Sequence, residues 1–80
     1  MKFMTKKIKQ IDRIKANQKD VKFSDLVSLL EEFEFELTRV KGSHHVFNRD
    51  DVTFVVPVHK NRVKEVYVKR VLSLIKKFES

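Results

Sequence analysis

The chain has a single glycine, Gly42, and a single proline, Pro57, among its 80 residues. Glycine adopts left-handed backbone without strain, so the position of the only one is informative. It lies in Lys41-Gly42-Ser43, between two segments that read as strands. Either the backbone needs its freedom there, or a ligand comes close. One glycine also excludes a glycine-rich phosphate loop.

The segments around that turn set the fold class. Residues 35–40 alternate as a strand, with Phe35 and Leu37 on one side and Glu36 and Thr38 on the other. Residues 44–48 form a second strand, Asn48-Arg49-Asp50-Asp51 a polar hairpin turn, and residues 52–56 a third strand followed by Pro57. Ahead of them, residues 24–33 read as a helix. Ser24 suits its N-cap, Asp25 suits the positive end of its dipole, and Leu26, Val27, Leu29, Leu30 and Phe33 form its apolar stripe. Residues 67–78 read as a last helix with Val68, Val71, Leu72, Ile75 and Phe78 inward. Residues 4–16 read as a first helix whose stripe, Met4, Ile8, Ile11 and Ile14, is thin. Strands bracketed by helices without βαβ alternation indicate α+β, with two helices on one face of a three-stranded antiparallel sheet. The chain is long enough for one domain, and seven Phe supply one core.

Without cysteine, a disulfide scaffold and a thiolate metal site are both excluded. No run approaches the roughly 20 apolar residues of a membrane span. The first residues, with two Lys after Thr5, are not followed by the apolar run of a secretory signal. The expected location is the cytoplasm.

The net charge of +7 points to an anionic partner, whether nucleic acid, acidic protein or lipid surface, although basic charge also serves solubility alone. Its distribution is uneven. Residues 1–20 hold seven Lys/Arg against two acids, residues 21–40 two against five, and residues 61–80 six against two. Residues 58–65 read as a basic loop in which Lys60, Arg62 and Lys64 could grip phosphates, or simply be solvated.

Gly42-Ser43-His44-His45 is the sharpest candidate for chemistry. An imidazole can give or take a proton near neutral pH. RNA can be cleaved without a metal when a base removes the ribose 2′-hydroxyl proton and an acid protonates the leaving oxygen. Adjacent strand residues point to opposite faces, so one of His44 and His45 faces a given ligand, and alternation alone does not say which. A histidine pair at a strand start is also often structural. His59 opens the basic loop and suits phosphate contact, proton transfer or an ordinary polar loop. Asp50 and Asp51 fit a turn better than a metal site, Ser43 lacks a triad, and no cofactor motif is present. Tyr67 could stack on a base, whereas the Phe positions match inward stripes.

Residues 23–78 resemble the HicA family of bacterial toxins. The resemblance rests on the helix at 24–33, the strand at 35–40, Lys41-Gly42-Ser43-His44-His45-Val46-Phe47, Val56-Pro57-Val58-His59-Lys60 and Tyr67-Val68-Lys69. It implies a fold like the double-stranded-RNA-binding domain, α–β–β–β–α, at residues 21–80, with residues 1–20 as a helical extension. It further implies a metal-independent endoribonuclease that cleaves mRNA, inhibits translation in a stress response, and is neutralised by a HicB-type antitoxin. The family's catalytic histidine closes Gly-Ser-x-His, here His45. His44 takes the variable position, and His59 matches a second recurring histidine. The family often has Gly after the first core helix where this chain has Glu34. A left-handed cap would cost Glu more than Gly, which leaves that turn open. Two alternatives compete: a non-catalytic RNA-binding module reading A-form shape, and a purely protein-binding subunit whose basic face docks an acidic partner.

Overall fold

The computed structural model describes residues 6–78. The N-terminal helix, α1, spans Lys6–Ala16; Met4, the first member of its expected stripe, lies outside the described residues. Thin as the stripe is, Ile11 and Ile14 are both buried. The helix carries Arg13 and Lys15 in its last turn, where the macrodipole favours cations.

A two-residue strand, β1 (Val21–Lys22), leads directly into α2 (Phe23–Glu32). Leu26, Leu29 and Leu30 recur at helical spacing and are fully buried. Ser24 is not the N-cap. Lys22 holds that position in extended backbone and makes no side-chain cap bond, because Val21 and Lys22 are held in a β-ladder up to the first helical residue.

The end of α2 resolves the question raised by Glu34. The Phe35 N–H donates to the Leu30 carbonyl at 2.9 Å and the Glu34 N–H to that of Glu31 at 2.9 Å. These are the two bonds of a Schellman motif, and Glu34 adopts φ 68° to make them. A non-glycine residue in this region costs about 1–2 kcal/mol. Burial of Phe35 beside Leu30 helps to hold the turn nevertheless.

Three antiparallel strands follow in the order β2-β3-β4: β2 (Glu36–Lys41), β3 (His44–Arg49) and β4 (Val52–Pro57). Gly42 sits at φ 59° in the two-residue β2–β3 turn. Beyond Gly42 and its chain neighbours, no protein atom lies within 4 Å of where its Cβ would be, so backbone conformation is what requires glycine. The second hairpin turn is tighter than the sequence indicated. Asn48 and Arg49 stay in β3, and Asp50 turns the chain at φ 52°, which aspartate tolerates. The β2–β3 register shifts between Leu37 and Arg39, making Thr38 a bulge. Strict alternation is lost there, and Leu37 is 36% exposed while Phe35 is 2% exposed.

The expected loop at residues 58–65 is partly structured. Arg62–Val63 form β5, antiparallel to β1, with Val21 opposite Val63 and Lys22 opposite Arg62. Helix α3 (Glu65–Lys76) begins two residues earlier than its apolar stripe suggested. Val68, Val71 and Ile75 of α3 meet Leu26, Leu29 and Leu30 of α2, Phe47 and Val56 of the sheet, and Ile11 and Ile14 of α1 in one core. The architecture is α+β: an α–β–β–β–α unit like the double-stranded-RNA-binding domain, with an additional N-terminal helix.

Candidate active site

Alternation along β3 places His45 on the face that carries Phe47 and leaves His44 exposed on the other. His45 is half-buried. Its ring lies 4.4 Å from the ring of Phe23, tilted by 55°, and Phe23 in turn lies 6.2 Å from Phe47. Nδ1 stands 3.1 Å from the Ser43 carbonyl oxygen. A carbonyl only accepts, so in the neutral ring Nδ1 carries the hydrogen and Nε2 holds the lone pair. Among the described residues Nε2 has no hydrogen-bond partner. The same Ser43 carbonyl accepts the Val58 N–H at 2.8 Å, which ties the β2–β3 turn to the segment leaving β4.

That segment folds into a second sharp turn. His59 and Arg62 exchange backbone hydrogen bonds of 3.0 and 2.8 Å across Lys60 (φ 51°) and Asn61 (φ 66°). Positive φ at both central residues makes a type I′ turn. Asn tolerates this backbone and Lys resists it, so Lys60 is held in a strained conformation. The restraints come from around it. The Phe23 N–H donates to the Asn61 carbonyl at 2.8 Å, Lys22 pairs with Arg62 in the β1–β5 ladder, and the Arg62 guanidinium lies 3.2 Å from the Asp20 carboxylate. Phe23 thus contacts His45 through its ring and the basic turn through its amide.

Lys22, Phe23, Ser24, Lys60, Asn61 and Arg62 line a recess of about 470 Å³. The N-terminus of α2 opens beside it without a side-chain cap, adding the positive end of a helix dipole to three cations. Nearby acids are engaged: Asp25 pairs with Arg13 at 3.7 Å and Asp20 with Arg62. Among the described residues no carboxylate pairs with Lys22 or Lys60. The recess is suited to an anion.

Of the residues singled out from sequence, the structure gathers His45, Ser43, Lys60 and Arg62 around Phe23. Gly42 shapes the turn before Ser43. His44 opens on the opposite sheet face, beside Lys41 and Pro57. His59 is exposed at the corner of the type I′ turn, and Lys64 lies outside the recess as the N-cap of α3. Tyr67 is half-buried with the Arg70 guanidinium 5.4 Å from its ring centroid. Among the described residues, no group of three His, Asp or Glu side chains could hold a metal ion.

A family model for the HicA toxin of bacterial toxin–antitoxin systems matches residues 23–77. The chain belongs to the HicA toxin family. No curated protein and no solved structure matches it. As a HicA-family toxin it has an antitoxin as partner. The family match begins at Phe23, and α1 and β1 precede it. No helix among the described residues is long and apolar enough to cross a membrane.

Sequence reasoning missed Phe23, Lys22, Asn61 and Asp20 as parts of this candidate site. The sequence places Phe23 among the core phenylalanines, and it does pack against the core while its ring also contacts His45. The one available signal was its place just outside the stripe of residues 24–33. Lys22 and Asn61 are brought together by a two-rung ladder that leaves no hydrophobic pattern.

Proposed function

We propose that this toxin is an endoribonuclease that cleaves mRNA, thereby inhibiting translation, with His45 as its proton-transfer residue and a HicB-type antitoxin as its inhibitor. The observation that carries this reading is the unengaged Nε2 of His45, held by Ser43 and Phe23. The cationic recess that also contacts Phe23 supports it.

The chemistry needs no metal. Nε2 takes the proton of a ribose 2′-hydroxyl, and the oxygen forms a bond to the adjacent phosphorus. The bond from phosphorus to the 5′-oxygen breaks, and that oxygen is protonated by a general acid. The products are a 2′,3′-cyclic phosphate and a 5′-hydroxyl. His59 is the candidate acid. Lys60 and Arg62, with Lys22, hold phosphates and stabilise the charge that develops on the phosphoryl oxygens. Lys64 extends the basic track, Gly42 and Ser43 hold the turn, and His44 takes no part in the step. Acting on mRNA means acting in the cytoplasm.

The test is RNA cleavage by purified protein in EDTA, wild type beside His45→Ala. Cleavage by wild type alone, with both proteins folded and binding RNA, is the expected result. Equal cleavage by the two would remove His45 from the mechanism. A second reading is a non-catalytic RNA-binding module, favoured by the exposure of the His59 side chain. It predicts salt-sensitive binding with the RNA left intact.

A further inference from the structure

The three-stranded sheet has two edges, and they are built differently. Strand β2 carries Glu36, Arg39 and Lys41, and its register is broken by the Thr38 bulge. Charges and bulges keep another strand from pairing with an edge. Strand β4 has neither. Its six residues, Val52 to Pro57, include no charge, its register with β3 is unbroken, and among the described residues it pairs with no other strand. Among the described residues, Pro57, at its last position, is the one feature of the strand that resists pairing.

A groove of about 440 Å³ runs between β4 and α3. Phe54, Val66 and Leu74 form an apolar floor, and Lys69, Arg70 and Lys77 stand along its rim. Val66 is 49% exposed, high for a valine on a helix flanking a core. Lys69 pairs with Glu65 at 3.5 Å, whereas no carboxylate among the described residues pairs with Arg70 or Lys77. An apolar floor takes up side chains and offers nothing to a ribose-phosphate chain. The cationic rim suits carboxylates, and the open strand edge suits an extended backbone.

We propose that this groove docks an acidic segment of the antitoxin, added as a strand to the free edge of β4, with alternate apolar side chains on Phe54, Val66 and Leu74. The proposal rests on the reading of the chain as a toxin held by an antitoxin. The groove shares no residue with the His45 recess, so it anchors the inhibitor apart from the reacting centre.

The test is titration of the purified cognate antitoxin against the full chain: wild type, Val66→Asp, the milder Val66→Ser, and the double variant Arg70→Glu/Lys77→Glu. Thermal melts check that each variant is folded. Val66→Asp and the double variant are expected to weaken binding at least tenfold and Val66→Ser severalfold, with RNA cleavage unchanged. Amides of β4 are expected to gain protection from hydrogen exchange in the complex. Unchanged antitoxin affinity in the folded groove variants overturns the proposal. So does loss of antitoxin binding confined to Lys60→Ala and Arg62→Ala, which would put the inhibitor on the recess. Loss of RNA binding by the groove variants would assign the surface to RNA and also overturn it. If wild type cleaves no RNA but the groove variants still lose the antitoxin, the nuclease reading fails and the docking surface stands.

Discussion

His45 and Arg49 flank Phe47 on the same face of β3, and the two ends of the strand treat them differently. The Arg49 guanidinium donates from Nη1 to the Phe33 carbonyl at 2.8 Å and lies 4.2 Å from the ring centroid of Phe78. It is also 3.9 Å from each of the Glu34 and Asp50 carboxylates. Arg49 thereby closes the end of the core beneath the Schellman turn. At the other end, His45 uses one nitrogen on Ser43, packs its ring at a tilt against Phe23, and leaves the other nitrogen without a partner among the described residues. A polar side chain on a core face must be satisfied to be tolerated. Arg49 meets that requirement, whereas His45 meets it only in part, the opening on which the proposed proton transfer rests.

Substitutions can break this contrast. The largest expected effect is on turnover: His45→Ala should reduce RNA cleavage by roughly 10²–10⁴-fold, the usual range for a general acid or base. Its thermal stability should change little. A variant that unfolds instead would make His45 a structural residue like Arg49. Arg49→Ala should show the reverse pattern. Losing a charged hydrogen bond and a cation–π contact should cost about 2–3 kcal/mol in urea denaturation, with cleavage by the folded protein preserved. A selective loss of cleavage would show that the two ends are not separable.

Smaller effects sharpen the comparison. Lys60→Ala and Arg62→Ala should each weaken RNA binding and lower the slope of log affinity against log salt by about one, as expected for a single phosphate contact. Unchanged slopes would move the RNA off the recess. Glu34→Gly should stabilise the protein by about 0.5–1 kcal/mol, because it relieves the left-handed backbone at some entropic cost in the unfolded chain. Destabilisation would mean that the Glu34 carboxylate beside Arg49 outweighs the backbone strain.

The helices and the three long strands were legible because each buries one face and writes it as a period, as in Leu26-Leu29-Leu30 or Val68-Val71-Ile75. The boundaries were less so. Ser24 has the chemistry of an N-cap, yet Lys22 occupies that position because of a ladder with Arg62 that no local pattern announces. Thr38 looks like an ordinary strand residue, and its bulge appears only in the register with β3. On the outer sheet face its hydroxyl then donates to Asn48 Oδ1, and Asn48 Nδ2 donates to Thr53 at 2.7 Å, a cross-strand chain that the sequence does not suggest. In the candidate site, His45, Ser43 and the cations were visible as a motif and a charge run. The contribution of Phe23 was not, because one side chain serves core packing and histidine placement together.

The β1–β5 ladder bears on synthesis of the protein. It joins Val21 to Val63, so the recess is completed by a contact between distant parts of the chain, and such contacts form late because a long loop must first close. His45 leaves the ribosome before Lys60 and Arg62 do, and it has no anion-binding wall beside it until they arrive. On the proposed ribonuclease reading, a nascent chain therefore lacks the phosphate grip that cleavage requires.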